Sequence, residues 1–352
     1  MKSTFLSLFL LLSVVSWAQI PTYYQNLNLN LNGENLKNEL SNLIVRTHEN
    51  ELSYTPQVWE TLKNADLDPN QPGKVLLIYG WNDTDDIKNN DRTRSKTATC
   101  HTTNCENKWV REHVFPRSKG NPNLGFEGAG SDAHHLRAVD YDRNSLRSNL
   151  KFTANIPFSN SYSKVVADNY FFPGDEWKGD VARMIMYMYV RYGAQCRPVT
   201  VAEGSTSFSP LADMPNILLQ WNTEDPVSAH EIARNNAIYS AQGNRNPFID
   251  NPFLATKIWG GPVAQNTWNI LENSVFSNIV VSVYPNPATE SISISGLDDL
   301  SNYQIVLFDI NGRKVIEENN TSHLNIAFLE KGVYFLQIEA NNQNYTQKII
   351  KH

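Results

Sequence analysis

The sequence predicts an α+β protein in which a mainly helical domain is followed by a small all-β, sandwich-like domain. Apolar residues recur at helical spacing from Asn35 to about Val45, and Val181–Tyr192 is apolar on nearly every side. From Ile279 onward, short alternating strands separated by turn residues replace the helical pattern. We therefore place the larger domain at residues 19–272 and the smaller one at residues 273–352.

The larger domain is predicted to begin with two helices and a strand. The second helix starts near Thr55-Pro56, since Thr is a good N-cap and Pro fits the first helical turn. Lys74–Tyr79 is a short apolar run that predicts a buried strand, and residues 80–103 form a long polar loop.

Three further helices are predicted in the second half of this domain. Val181–Tyr192 is expected to be a central buried helix, with Asp180 as its cap and Gly193 at its end. Ile217–Trp221 and Glu231–Tyr239 also show helical patterns.

The smaller domain shows a hairpin signal and several predicted strands. Asn311-Gly312 lies between two apolar runs, which is typical of a tight hairpin turn. The predicted strands are Ser291–Ser295, Gln304–Asp309, Val333–Ile338 and Thr346–Ile350.

The N-terminus predicts export. A lysine at position 2, an apolar run from Phe5 to Val15 and small residues up to Ala18 are typical of a secretory signal peptide, which we assign to residues 1–18. No other segment is long and apolar enough to span a membrane, so no transmembrane segment is expected in the mature protein. Of three cysteines, Cys100 and Cys105 would close a small loop and leave Cys196 free; the other pairings stay open.

The charge distribution favours one basic region. The formal net charge is −6, but residues 91–151 hold 11 Lys and Arg against 7 Asp and Glu. A basic segment between acidic flanks is compatible with a phosphate-rich substrate and equally with an ordinary mixed surface.

Polar residues are densest in three pieces between Arg111 and Lys151. Arg111–Pro116 and Asp132–Val139 are predicted to be short strands around a loop. Tyr141–Lys151 is predicted to be a helix on which Asn144, Arg147 and Lys151 share one face.

These residue types suit phosphodiester hydrolysis. Histidine can take a proton from water near neutral pH, and a hard divalent cation can stabilise charge on the phosphate and leaving oxygen. Mg²⁺ accepts a carboxylate and an amide oxygen as ligands and keeps several waters. His113, Glu112 and Asn144 supply these three groups. Neighbouring strand residues face opposite ways, so Glu112 and His113 share a site only if the strand is distorted or the cleft wraps its edge.

The three pieces, together with Lys178–Arg183 and Gln242–Asp250, resemble the endonuclease I family of secreted and periplasmic bacterial nucleases, which also includes extracellular ribonucleases. The resemblance extends from about Ser53 to Gly260. It implies a ββα-metal (His-Me finger) active site inside a mainly helical domain.

Carried over position by position, the resemblance makes His113 the general base and Glu112 and Asn144 the metal ligands. Arg147 matches an arginine of the helix motif, and His134 matches a histidine with a substrate-positioning or supporting role around the metal site. His135 stands where family members often have Asn. The loop from Pro116 to Asp132 does not align, which leaves Arg117 and Lys119 as candidates for contacting the scissile phosphate.

The tail resembles the C-terminal sorting domain of the type IX secretion system. The residues that carry this resemblance are Val283–Pro287, the Asn311-Gly312 hairpin, Leu329–Tyr334 and Lys348–Lys351. The resemblance implies passage through the outer membrane with the help of that machinery.

The sequence thus predicts a secreted endonuclease that uses Mg²⁺ (Ca²⁺ or Mn²⁺ would also be compatible) and hydrolyses DNA, RNA or both with little sequence preference. The predicted phosphate contacts are Arg137, Arg143, Arg147 and Lys151. Two alternatives stay open: a secreted nucleic-acid-binding protein or adhesin on an inactive nuclease scaffold, and a zinc hydrolase that uses His113, His134 and His135.

Overall fold

The chain divides into two compact units, residues 1–269 and 270–352. The computed structural model describes residues 20–102, 104–154, 160–167, 170–268, 282–297, 302–340 and 343–352. The predicted signal peptide, residues 1–18, lies outside the described residues.

The described part of the first unit contains eight α-helices. They are α1 Gly33–Thr47, α2 Gln57–Ala65, α3 Tyr141–Arg147, α4 Lys178–Tyr192, α5 Asn216–Glu224, α6 Ala229–Gln242, α7 Pro247–Asp250 and α8 Phe253–Trp259.

Three small sheets complete the described part of this unit, which makes it mixed and richer in helix than in strand. The strands are β1 Leu67–Asp68, β2 Gln71–Leu76, β3 Thr93–Ser95, β4 Trp109–His113, β5 Leu136–Asp140, β6 Lys151–Phe152, β7 Lys164–Val166 and β8 Tyr170–Phe172. The sheet orders are β1-β2-β3, β4-β5 and β6-β8-β7; only β6 and β8 run parallel.

Helix α4 is the centre of the unit, as its apolar sequence predicts. It packs against α1, α5 and α7, and its residues from Gly179 to Met188 are all buried. A helix that contacts neighbours on several sides needs apolar residues around its whole circumference rather than on one stripe. The amphipathic helix α1 instead buries only Leu36, Leu40, Leu43 and Ile44.

Several predicted boundaries are wrong by a few residues. Helix α2 starts at Gln57 with Pro56, not Thr55, at its N-cap, and α4 starts before Asp180. Asp180 lies in the first turn of α4 and pairs with Arg137 at 2.7 Å, so it is not a cap. Strand β2 ends at Leu76; residues 77–79 remain buried without belonging to a strand.

The described part of the second unit contains two sheets that share one hydrophobic core. Its strands are β9 Ser282–Tyr284, β10 Ser291–Ser295, β11 Tyr303–Asp309, β12 Lys314–Asn319, β13 His323–Asn325, β14 Gly332–Ala340 and β15 Gln343–Lys351. The sheet orders are β13-β10-β9 and β12-β11-β14-β15.

The described residues of the second unit are rich in β-strand, and their two sheets pack on one core. Ile292 and Ile294 of one sheet pack in the same cluster as Ile305, Leu336 and Ile338 of the other. The Asn311-Gly312 hairpin is confirmed, since it joins the antiparallel strands β11 and β12 and Gly312 has φ +76°.

Throughout the described ranges, no helix combines the length and the apolar character that crossing a membrane would require.

Candidate active site

The candidate active site is a cleft of about 350 Å³ at the end of the β4-β5 sheet. The residues that line it include Arg111, Glu112, His113, Arg117 and Asn144. The three residues that the sequence singles out for base and metal chemistry therefore lie around one cavity.

Two antiparallel strands and the helix that follows them position this cleft. Strand β4 pairs with β5, with Glu112 opposite Arg137. Asp140, the last residue of β5, caps α3 by accepting hydrogen bonds from the backbone amides of Asp142 and Arg143. Because β5 turns directly into α3, Asn144 in the second turn of the helix is brought to the end of β4.

Glu112 and His113 line the same cleft although they are neighbours on a strand. His113 is the last residue of β4, so the alternation of faces ends with it. The next three residues, Val114, Phe115 and Pro116, are buried. The pairing of β4 with β5 is regular through His113, so the cleft reaches both faces of β4 by wrapping around the end of the strand.

The Glu112 carboxylate is buried but has two strong partners. Its Oε1 atom accepts a hydrogen bond from the Tyr79 hydroxyl at 2.9 Å and lies 3.2 Å from Nε of Arg147. Burial raises the pKa of Glu112 above its ordinary value, while Arg147 and the Tyr79 hydrogen bond oppose that rise. Arg147 therefore helps to keep Glu112 ionised.

His113 is held in one tautomer by the backbone. Its Nε2 atom lies 2.9 Å from the carbonyl oxygen of Gly130. A carbonyl only accepts, so Nε2 carries the proton and Nδ1 keeps its lone pair. Burial, followed by the neighbouring His135 ring, lowers the pKa of His113 well below its ordinary value. The ring also stacks on Tyr54, with centroids 5.6 Å apart.

Arg111 and Arg117 are the arginines that line the cleft. The Arg111 guanidinium lies 3.4 Å from the ring centroid of Tyr54 and donates to the Tyr54 carbonyl. Arg117 donates from Nε to the Leu124 carbonyl at 2.8 Å. Lys119, the other candidate from the same loop, is not part of the cleft lining.

The four predicted phosphate contacts lie elsewhere. Arg137 is fully buried between Asp66 at 2.9 Å and Asp180 at 2.7 Å, so it is unavailable to a phosphate and has a structural role. Arg147 is fully buried as well and supports Glu112.

Arg143 and Lys151 are also engaged with the protein. Arg143 is 7% exposed and donates to the backbone carbonyl of Asn89. The prediction that Lys151 continues α3 is wrong: the helix ends at Arg147, Ser148 has φ +50°, and Lys151 lies in β6 with its Nζ donating to the Val199 carbonyl.

The three histidines of the zinc alternative point to three different carbonyls. His113 Nε2 faces Gly130, His134 Nε2 faces Asn244 at 3.2 Å, and His135 Nε2 faces Ala129 at 2.8 Å. Within the described ranges, no group of three or more His, Cys, Asp or Glu side chains is placed to hold a metal ion. A three-histidine zinc site therefore has no support here.

His134 lies against Tyr187, with ring centroids 4.4 Å apart, whereas His135 packs edge-on against His113 at 5.4 Å. The histidine that contacts His113 is thus His135. Among the cysteines, Cys100 and Cys105 form a disulfide and Cys196 is free and buried.

Sequence reasoning missed three residues of the site: Tyr79, Tyr54 and the role of Arg111. A signal for Arg111 exists, because residues i and i+2 of a strand share a face and Arg111 is two residues before His113. Tyr79 and Tyr54 are distant in sequence, and no local pattern connects them with Glu112 or His113.

Comparison with known proteins supports the sequence resemblance. Residues 32–253 match the family described as Endonuclease I, and residues 282–352 match the secretion system C-terminal sorting domain. The extracellular ribonuclease of Bacillus amyloliquefaciens is 38% identical over 250 residues, which are 69% of this chain and 79% of the relative. The extracellular ribonuclease of Bacillus subtilis (strain 168) is 36% identical over 253 residues, 69% of this chain and 80% of the relative.

The family match covers more than half of the chain and contains the whole cleft. The match to the sorting domain covers β9 to β15 of the second unit. The chain therefore belongs to the endonuclease I family and is a secreted nuclease that ends in a C-terminal sorting domain.

Proposed function

We propose that the chain is a metal-dependent endonuclease that hydrolyses phosphodiester bonds of RNA, DNA or both with little sequence preference. The observation that carries this proposal is the single cleft lined by Glu112, His113 and Asn144. The order β4, β5 and α3 supports the assignment of a ββα-metal site, since it is the order of elements that this motif requires.

His113 would act as the general base. A histidine whose pKa lies well below its ordinary value is neutral at pH 7 and can accept a proton. The Gly130 carbonyl accepts a hydrogen bond from the Nε2–H group, so Nδ1 is the atom that would receive the proton of the attacking water.

Glu112 and Asn144 fit a hard divalent cation, for which we propose Mg²⁺. They offer a carboxylate and an amide oxygen on the same cleft, and Arg147 favours the ionised form of Glu112. Such an ion would supply electrostatic stabilisation of the charge that develops on the phosphate and the leaving oxygen. A cleft of about 350 Å³ leaves room for the waters that Mg²⁺ retains.

Arg111 and Arg117 would hold the phosphates. Both line the cleft, and a planar guanidinium suits a phosphate group. Phosphate contacts position a nucleic acid without reading its bases, so low sequence preference follows. The two extracellular ribonuclease relatives support RNA as a substrate. The sorting domain supports the type IX secretion machinery as a partner.

The test is degradation of plasmid DNA and of a structureless RNA by wild-type protein, His113→Ala and the control His101→Ala. His101 is an exposed histidine of the same unit that does not line the cleft. We expect loss of cleavage only in His113→Ala, loss of wild-type cleavage in EDTA and recovery with Mg²⁺. Full activity of His113→Ala, with a wild-type circular dichroism spectrum, would exclude the proposed base.

A further inference from the structure

We propose that Phe126 is a stacking platform for an unpaired nucleobase beside the scissile phosphate, so that the enzyme prefers single-stranded segments. This inference rests on the proposed function and names a specificity-determining residue for it.

The Phe126 side chain is 55% exposed. A single exposed aromatic ring is common on protein surfaces and carries no meaning alone. Its neighbours are what single this ring out.

Phe126 lies at the rim of the active-site cleft. The guanidinium of Arg117, which lines the cleft, is 3.9 Å from its ring centroid. The Tyr54 ring lies 5.0 Å from Phe126 on one side and 5.6 Å from His113 on the other. The exposed ring of Phe126 thus contacts Arg117, a proposed phosphate contact. Through the Tyr54 ring it is also linked to His113, the proposed base.

The loop that carries Phe126 is closed on itself. Gly130 approaches Gly125 so closely that a Cβ at position 130 would overlap the Gly125 carbonyl oxygen. The Gly130 amide also donates to the Glu127 carbonyl at 3.2 Å. The Gly130 carbonyl holds His113, so one tight loop fixes both the orientation of the base and the position of the Phe126 ring.

The chemistry of a nucleotide matches this pair of groups. A nucleotide presents an anionic phosphate and a flat base within a short distance, and Arg117 and Phe126 offer a cation and a flat ring in direct contact. Every base has a π-face, so stacking on a phenyl ring tolerates any sequence. In a duplex the base faces are already covered by neighbouring base pairs, and stacking on Phe126 would first require unstacking them, so the ring favours an unpaired base.

The experiment uses the full chain and a single-stranded oligonucleotide in which one phosphodiester is cleavable and all others are phosphorothioates. In Phe126→Ala we expect KM for the single strand to rise about tenfold with little change in kcat. A tenfold rise corresponds to the lower part of the range of free energies lost with one base–aromatic stack. KM for the matched duplex should stay within about twofold, and Phe126→Trp should retain the single-strand KM.

Tyr239→Ala is the matched control. Tyr239 is 42% exposed and also has an arginine against its ring, Arg245 at 5.3 Å, but it lies on α6 and does not line the cleft. The Tyr239→Ala variant should leave KM unchanged for both the single strand and the duplex. An equal rise in KM in this variant would show that loss of any exposed ring has the same effect and would overturn the proposal.

Removing single bases from the oligonucleotide completes the test. Wild-type KM should rise when one particular base next to the cleavable bond is absent, and Phe126→Ala should be insensitive to that base. If Phe126→Ala raises KM equally with and without the base, the ring only supports Arg117 and the stacking role is wrong. Wild-type protein that binds the oligonucleotide without cleaving it would instead refute the proposed function.

Discussion

The ion pair between Arg147 and Glu112 gives a prediction whose sign depends on pH. The perturbation is Arg147→Met, which keeps an apolar stem against Phe152 but removes the charge. The pair is 3.2 Å long, and the two side chains are 1% and 4% exposed, so solvent screens it little. Leaving one charge of a buried pair without its partner costs about 3–5 kcal/mol.

That cost falls on the ionised form of Glu112 and therefore appears only at higher pH. Burial already raises the folded-state pKa of Glu112, and loss of Arg147 removes an opposing influence and raises it further. A carboxyl group with a raised folded-state pKa destabilises the protein as pH rises from its unfolded value toward its folded value. The loss of unfolding free energy in the variant should thus grow by about 1.4 kcal/mol per pH unit between the folded-state pKa of Glu112 in the wild type and its higher pKa in the variant, toward a limit of about 3–5 kcal/mol.

The assay is urea denaturation of both proteins at pH 5 and pH 8 without divalent ions. Arg147 also donates to the carbonyls of Val114 and Ser148, and loss of these bonds contributes a constant penalty at both pH values. Only the growth of the penalty with pH reports on Glu112. A penalty that is equal at pH 5 and pH 8, or a growth that persists in the Glu112→Gln background, would refute the reasoning.

Three further predictions concern the rest of the site. Gly130→Ala should lower kcat about a hundredfold with an unchanged circular dichroism spectrum. The added Cβ forces the loop to shift, and the shift carries the Gly130 carbonyl away from His113. A wild-type kcat in this variant would contradict the role of Gly130 in positioning His113. Since burial lowers the pKa of His113, the base stays neutral below pH 6.5, and kcat at saturating Mg²⁺ should not fall between pH 8 and pH 6. A pH–rate profile with an inflection at 6.5 would exclude this. Cys100→Ser should lower the free energy of unfolding by about 2 kcal/mol in urea titrations, as expected for a bridge across so short a loop, and a reducing agent should have the same effect on the wild type but none on the variant.

Periodic patterns in the sequence predicted the main elements because they report burial along one element at a time. Residues 181–192 are apolar all round because α4 is enclosed, and residues 291–295 alternate because β10 has one buried face. The ends of elements were less predictable, because a helix cap depends on which hydrogen bonds form in the fold and not only on the type of residue. Thr55 has the chemistry of an N-cap, yet α2 begins one residue later than that chemistry requires.

The length of α3 shows how a local conformation changes a predicted surface. Helical spacing placed Asn144, Arg147 and Lys151 on one face, which assumes that the helix continues through residue 151. Ser148 adopts a positive φ directly after Arg147, and the helix ends at Arg147. Asn144 therefore reaches the cleft while Lys151 joins a different sheet.

The arginines show most clearly what a one-dimensional pattern leaves undetermined. A basic segment has the same composition whether its charges face a nucleic acid or neutralise carboxylates inside the protein. In this chain Arg137, Arg147 and Arg183 are fully buried, each within 3.2 Å of a carboxylate oxygen that is supplied by a different element. Charge alone therefore does not tell which arginines on β5 and α3 face solvent and which pair with carboxylates inside the protein. Arg111 and Arg117 face the cleft because the end of β4 and the turn after it hold them there, with aromatic rings rather than acids against their guanidinium groups. Their partners are aromatic rings and backbone carbonyls, which carry no net charge, so the positive charge of each guanidinium stays available to a phosphate.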